Sequence, residues 1–220
     1  MPDRVITAAL AVEPQLQPKQ ARSSRSLAQM LDATYDLVME KGSDGFTLTD
    51  VARRAGISVG SITFRFGSKD ALIDACHTAA VHRLIGHERA MIGNLLQTCP
   101  DLQSFTLAYS AAMGDFLLEN GPMLRRFMER SPQRPEMQKA GQEAATSGQL
   151  ITAAAFLSYR HEIGGSEPER KVKTAFQIIY STYARQLGLN TLGQPAFIQP
   201  FEELKREIGL MVLAYLQSSY

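Results

Sequence analysis

The residues best suited to contact chemistry lie in one short run, "SVGSITFRFGSKDAL", from Ser58 to Leu72. The run offers slim residues, hydroxyls, one arginine and one aromatic on what reads as a short helix, Val59–Phe66. At about 100° per residue, and with Ile62 and Phe66 turned to a core, Gly60 and Phe64 point nearly the opposite way. Ser61 and Thr63 flank them, and Val59 and Arg65 lie to the sides. A helix that enters the major groove of DNA needs a slim face, which Gly60 and Ser61 supply. An outward Phe64 could touch thymine methyls, and Arg65 could pair with a guanine or a phosphate. The helix start at Ser58–Gly60 also presents free N–H groups suited to phosphate. Two plainer readings stay open: Phe64 packs on another helix, and Arg65 makes a surface ion pair.

These side chains are positioned by "TLTDVARRAGISVGSITFRF", residues 47–66. A short helix, Leu48–Ala55, carries an apolar face of Leu48, Val51, Ala52 and Ala55. Thr47 is placed to N-cap it, and Gly56 follows it where a left-handed residue is needed. Ala52 is small where two helices must cross, Ile57 plugs the turn, and Ser58 N-caps the next helix. The register of these elements together is that of a helix-turn-helix. Arg53 and Arg54 are read as solvated, with a phosphate contact as the alternative.

The rest of the chain is read as helical almost throughout, with no sustained alternation and no hairpin turns. A first helix is expected over Ser24–Glu40 and a fourth from about Ser68 to Leu96. A fifth covers Asp101–Glu119, and Asn120-Gly121-Pro122 predicts a stop and a restart into a sixth that ends before Ser131-Pro132. A seventh covers Glu136–His161. An eighth ends at Leu187, with Ser166 and Glu169 as a capping-box pattern and Pro168 in its first turn. A ninth covers Phe201–Gln217. The fold class is therefore all-α with about nine helices. Residues 1–22 read as a mobile arm, 23–70 as the helix-turn-helix domain and 71–220 as a carboxy-terminal helical domain. The arm's Lys19, Arg22 and Arg25 could follow a DNA backbone or minor groove; plain disorder is the alternative.

Composition constrains less. The chain has 220 residues, 45% of them hydrophobic, and a net charge of +1. Residues 19–69 hold eight basic and five acidic residues, a net +3, whereas residues 71–220 hold fourteen of each. That excess suits a phosphate-bearing partner or an ordinary solvated surface. Cys76 and Cys99 lack metal-site spacing and read as buried free thiols. With no bilayer-length apolar run and no secretory signal, a cytoplasmic protein without membrane contact is expected. No GxSxG, HExxH or phosphate loop occurs, so no enzyme activity and no cofactor are expected. His77, His82 and His87 recur in steps of five and do not share one helix face, which speaks against a metal site.

The stretch from Ser26 to Cys76 resembles the amino-terminal domain of TetR-type (tetracycline-repressor family) transcriptional regulators. Gly42, Phe46-Thr47, Val51-Ala52, Ala55-Gly56-Ile57-Ser58, Gly60, Ile62, Phe66, Ser68-Lys69-Asp70 and Leu72 fall at the family's positions. The resemblance covers about a quarter of the chain. It implies an all-helical homodimer on a palindromic double-stranded operator, usually a repressor released when a small-molecule ligand enters the carboxy-terminal domain. It further implies phosphate contacts by the Thr47 hydroxyl and by Lys69, and base contacts by Val59, Gly60, Ser61 and Phe64. The chain departs from the family at Thr63, where a tyrosine is common, and at Arg65, where an aromatic or histidine is common. The operator preference is therefore its own, and Arg65 could make good the lost tyrosine contact. A helical binding module acting through protein partners, without operator binding, is the competing reading.

For a ligand, the set expected is Phe105, Tyr109, Met113, Phe127, Tyr159, Phe176 and Tyr180, with Tyr109, Tyr159, Tyr180 and His161 as polar handles; ordinary core is the alternative for each. The helix Val172–Leu187 is apolar nearly all round, which requires cover on more than one side. A dimer bundle of the last two helices would provide it through Phe176, Ile179, Tyr183, Leu204, Ile208, Met211, Val212 and Tyr215. A place at the centre of the chain's own core would also do so.

Overall fold

The computed structural model describes residues 18–43, 45–189 and 199–219; residues 1–17 of the expected arm lie outside the described residues, as does the side chain of Lys19. Eight α-helices run through them: α1 Pro18–Lys41, α2 Leu48–Ala55, α3 Val59–Phe66, α4 Lys69–Thr98, α5 Leu102–Arg130, α6 Pro135–Leu157, α7 Pro168–Gln186 and α8 Phe201–Gln217. Single 3-10 turns follow α5 and α6, at Ser131–Gln133 and Arg160–Glu162.

The short helices start where local chemistry places them. Thr47, Ser58, Ser68 and Asp101 each accept a backbone N–H with their side chains at the first turn of α2, α3, α4 and α5. Gly56 ends α2 with φ +66°, a left-handed conformation that costs glycine least.

Three expectations are corrected. Helix α1 begins at Pro18 rather than Ser24, so the arm's last residues are helical. Asn120-Gly121-Pro122 does not break the chain into two helices, and the expected nine become eight. Pro122 lies inside α5, and the carbonyl it leaves without a helical donor belongs to exposed Leu118. The helix is held continuous through this point by burial at both ends, Phe105 to Leu117 in one core and Met123 and Phe127 in another. Finally, Ser166 does not cap α7: Glu167 stands at that position and no side-chain cap is made.

Two hydrophobic cores divide the molecule. The first gathers Met30, Leu37 and Val38 of α1, Val51 of α2, Ile62 of α3, Leu72, Ile73, Cys76 and Ala80 of α4, and Met123, Phe127 and Met137. The second gathers Ile92, Leu102, Phe105, Tyr109, Met113, Phe156, Val172, Ala175, Ile179, Tyr183, Val212 and Leu216. The first half of α4 thus packs with the amino-terminal helices and its second half with the carboxy-terminal ones. At the junction, Arg130 pairs with Asp70, and Arg134 pairs with Asp74 and lies 3.6 Å from Asp70. These pairs fix the end of α5 and the turn after it to the first two turns of α4.

Helix α7 explains its own all-round apolar pattern. Val172, Ala175, Ile179 and Tyr183 are fully buried among α5, α6 and α8, while Lys173, Gln177, Ser181 and Arg185 form its exposed stripe. Behind them Lys171 is buried, donating from Nζ to the Tyr215 carbonyl at 3.1 Å and to the Ser218 hydroxyl at 2.9 Å. A cation at the carbonyl end of α8 is favourably placed. Cys76 is buried, which pushes its thiol up to about 12, and Cys99 is half-buried rather than buried. No described helix is long and apolar enough to cross a membrane.

Candidate nucleic-acid interface

Helix α3 is held by Ile62, which is completely buried, and by half-buried Phe66. The opposite face carries Phe64, which is 95% exposed, beside exposed Gly60, Ser61 and Thr63. Phe64 packs on no other helix. A methyl added at Gly60 would come no nearer than 3.9 Å to any atom, the Ser58 Oγ, so this glycine is not required by packing. It leaves the face slim. Val59 sits at the edge, 38% exposed. The Ser58 hydroxyl accepts the Ser61 N–H at 3.1 Å and lies 2.8 Å from the Ser61 Oγ, which fixes both hydroxyls at the helix start.

Among the described residues Arg65 makes no ion pair. Its guanidinium donates to the Ser23 carbonyl at 3.2 Å and to the Ser23 hydroxyl at 2.7 Å, tying α3 to the first turns of α1. Among the described residues two of its five N–H donors are used. Arg22 and Arg25, both exposed, flank this tie. Between α1 and α3 lies an open recess of about 430 Å³ lined by Ser26, Met30, Ser58, Gly60, Ser61, Phe64 and Arg65.

The two residues assigned to phosphate stand differently. Lys69, in the first turn of α4, holds its ammonium 4.5 Å from the centre of the Phe46 ring, an arrangement that orients the charge without neutralising it. The Thr47 hydroxyl instead donates to Asp50 at 2.7 Å, while it accepts the Asp50 N–H at 3.2 Å. The bond from the hydroxyl to the carboxyl, with a second from the Thr47 backbone N–H, holds the Asp50 carboxyl below its ordinary range. A phosphate contact through that hydroxyl must therefore displace Asp50 as acceptor. Arg53 pairs with Asp50 at 2.8 Å, and Arg54 makes two bonds to Glu40, each 2.8 Å.

The residues expected around a ligand are not one group. Phe105, Tyr109, Met113 and Tyr159 are together in the carboxy-terminal core, where Phe105 and Tyr109 each meet Phe156 edge-on. Phe127 belongs to the other core and packs on His77, with ring centres 4.7 Å apart. Phe176 and Tyr180 stack at 5.7 Å and are half-buried. Two handles are already engaged: the Tyr159 hydroxyl donates to the Cys99 carbonyl at 2.7 Å, and the Tyr109 hydroxyl lies 3.0 Å from the Thr152 Oγ1. His161 is exposed on the 3-10 turn. Of the residues expected at a dimer interface, Ile179, Tyr183, Val212 and Ile208 are buried inside the chain itself. Leu204, Tyr215 and Phe176 are half-buried, and Met211 is 62% exposed.

Two participants were not visible in the sequence reading. Ser23 is one; nothing local links it to Arg65. The other is Glu88, buried on α4. It occupies a row of positions four apart that is otherwise apolar (Ala80, Leu84, Ile92), and that interruption was its signal.

The family profile described as "Bacterial regulatory proteins, tetR family" matches residues 30–76. The HTH-type transcriptional regulator BetI of Burkholderia thailandensis is 43% identical over 58 residues, 26% of this chain and 30% of that protein. BetI of Burkholderia cenocepacia HI2424 matches to the same extent. The alignment thus spans less than a third of these relatives. Among solved structures, one assigned to the TetR-family regulators of Mesorhizobium loti MAFF303099 superposes with a TM-score of 0.72. It is 18% identical, and the match covers 89% of this chain and 96% of that one. A TetR transcription regulator from Haloarcula marismortui ATCC 43049 gives 0.63 at 15% identity, over 88% of this chain and 97% of that one. At such identities the likeness is one of fold.

Proposed function

We propose, from the match of residues 30–76 to the tetR family of bacterial regulatory proteins, that the chain is a dimeric, sequence-specific DNA-binding repressor released from its operator by a small molecule. The observation that carries the DNA-binding part is the outward face of α3. A phenylalanine left 95% exposed beside Gly60 and Ser61, directly opposite a fully buried Ile62, has no role in the chain's own packing. It has one in a major groove, against thymine methyls. Arg65, Lys69 and the N–H groups at the start of α3 supply phosphate contacts around it.

The dimer is proposed to form across the exposed side of α8, through Leu210 and Met211, with Leu204, Tyr215 and Phe176 at its margin. The buried Ile179, Tyr183, Ile208 and Val212 support that surface from behind. Two copies related by a twofold axis would place two α3 helices on one palindromic site.

Release is proposed to run through α4. The helix begins at Lys69 and ends in the carboxy-terminal core, and Arg130 and Arg134 bind its first turns to α5. A ligand among Tyr109, Phe176 and Tyr180 that prefers a tilted α4 would change the spacing of the two reading helices. It shifts the equilibrium only by its difference in affinity for the two states.

The test is a salt-dependent gel shift of the ligand-free protein on DNA flanking its own gene. Binding that weakens steeply with salt is expected. No shift even at low salt would favour a helical module that works through protein partners.

A further inference from the structure

Glu88 lies on the second half of α4 with 9% of its surface exposed. Among the described residues no hydrogen bond or ion pair reaches its carboxylate. A buried carboxylate is expensive to keep charged, so it is rarely left without a partner. This one stands against the backbone of α6 at Gly148, where a methyl would fall 2.8 Å from Oε2 and 3.0 Å from Oε1. The carboxyl thus fills the space between α4 and α6. The groups around it bring no charge to balance its own. On α6 the uncharged Thr152 follows one turn beyond Gly148, its Oγ1 3.0 Å from the Tyr109 hydroxyl of α5. Tyr109 and, on α7, Tyr180 feel the charge of Glu88, and both stay neutral phenols. On α4 itself the adjacent His87 and Arg89 are exposed. Burial alone moves the titration of Glu88, upward to about 7. Helix α4 gives this contact a long reach. Its Leu72, Ile73, Cys76 and Ala80 lie in the core that holds α2 and α3, whereas Ile92 lies in the other core. A change in how α4 seats on α6 is therefore carried to the helices of the proposed reading face.

We propose that Glu88 is a proton switch on operator binding: its neutral carboxyl seats α4 on α6 in the DNA-binding arrangement, and loss of the proton unseats it. The proposal rests on the DNA-binding reading above and adds the proton as an effector. An ionised carboxylate needs water or a counter-charge, and the seated contact supplies neither. Helices α4 and α6 part to admit water, and the second half of α4 shifts while its first half stays with the reading helices. The sign of the effect follows. The seated state holds its proton up to about pH 7, and a hydrated carboxyl only to the ordinary 4.5. Between those values the seated state binds more protons than the unseated one. Rising pH therefore favours the unseated state, by up to about tenfold per pH unit, and the effect levels off once both forms are ionised. Operator affinity is high on the acid side of this window and falls towards neutrality.

The experiment measures affinity for a site selected from random DNA, by fluorescence anisotropy at pH 5.5, 6.5 and 7.5 and constant ionic strength, on the full chain as wild type and as Glu88→Gln. Glutamine keeps the shape and cannot ionise. The histidines titrate in the same range but are present in both proteins, so the difference between the two curves belongs to Glu88. Wild-type affinity relative to Glu88→Gln is expected to fall by about tenfold from pH 5.5 to pH 7.5. Hydrogen exchange of both proteins without DNA reads the same switch independently. After correction for the intrinsic rate, α6 amides around Gly148 should lose protection in wild type as pH rises and keep it in Glu88→Gln. Parallel affinity curves for the two proteins would overturn the proposal. So would a loss of protection that is equal in both proteins or absent from both. Failure of both proteins to bind DNA at every pH would remove the DNA-binding reading instead, and exchange alone would then decide whether α4 and α6 part when the proton leaves.

Discussion

Arg65 of α3 grips Ser23 at the start of α1 through two hydrogen bonds, at 3.2 Å to its carbonyl and 2.7 Å to its hydroxyl. One side chain therefore joins the proposed DNA-reading face to the segment that carries Arg22 and Arg25. The tie holds those two cations beside the groove face rather than leaving them to wander. Ser23→Ala removes the shorter bond and should weaken operator and random DNA alike, by about threefold. Arg65→Lys keeps the charge but loses the planar fork, and should cost about tenfold on the operator. Equal losses for the two variants would mean that Arg65 serves α1 alone and touches no DNA. Competition binding at fixed salt reads both.

Phe64→Ala separates stability from recognition. The side chain is 95% exposed, so its removal takes nothing from either core. The melting temperature should stay within about 1 °C of wild type, because surface changes lie within roughly half a kcal/mol. Preference for the selected operator over a site with one T·A pair changed should fall by about tenfold, the usual size of one lost base contact. A selection from random DNA followed by paired affinity measurements gives both numbers. A destabilised Phe64→Ala protein would show instead that the ring packs in solution.

Gly60→Ala is expected to improve the fold and damage the function. The nearest atom to the new methyl is 3.9 Å away, and alanine is favoured over glycine inside a helix by about 1 kcal/mol. On the proposed reading the methyl would stand on the groove-facing side of α3. Thermal denaturation should rise while operator affinity falls; affinity left intact would place α3 farther from the bases than proposed.

The amino-terminal site was legible because its determinants are local. Thr47, Ser58 and Ser68 cap helices only a few residues away, Gly56 sets the turn by its own backbone, and Ile62 and Phe64 take opposite faces by helical period alone. What failed depended on contacts distant in sequence. Pro122 looks like a stop until Leu117 on one side and Phe127 on the other are seen to be anchored in separate cores. The apolar pattern of α7 does not say which neighbours cover it; Val172, Ala175, Ile179 and Tyr183 are buried among α5, α6 and α8. The link from Arg65 to Ser23 and the apposition of Glu88 to Gly148 cross long stretches of chain, and no periodicity encodes either.

Lys69 should act as a pure phosphate contact. Its ammonium rests over Phe46, so Lys69→Met, which keeps the stem and removes the charge, isolates the electrostatic part. Binding should weaken by a similar factor on operator and random sequence. The slope of log affinity against log salt should fall by about one unit. A change in sequence preference, with the slope intact, would assign Lys69 to base reading and remove it from the backbone.

The ionisation of Glu88 gives the fold a pH dependence of definite sign. Burial pushes this carboxyl from the ordinary 4.5 up to about 7. Between those values the folded chain keeps a proton that the unfolded chain has released. Stability must then fall as pH rises through that window, by up to about 1.4 kcal/mol per unit, and level off once both forms are ionised. The opposite slope, gain of stability with pH, belongs to carboxyls held below their ordinary range, such as Asp50 and Asp101. The groups coupled to Glu88, Tyr109 and Tyr180, are both raised above their ordinary range and remain neutral throughout. Glu88→Gln removes the titration, so its stability advantage over wild type should grow from about pH 5 to about pH 7 and be constant above, to a total of about 3 kcal/mol. Urea denaturation of both proteins across that range measures it. A difference between them that does not change with pH would mean that Glu88 is hydrated or paired in solution.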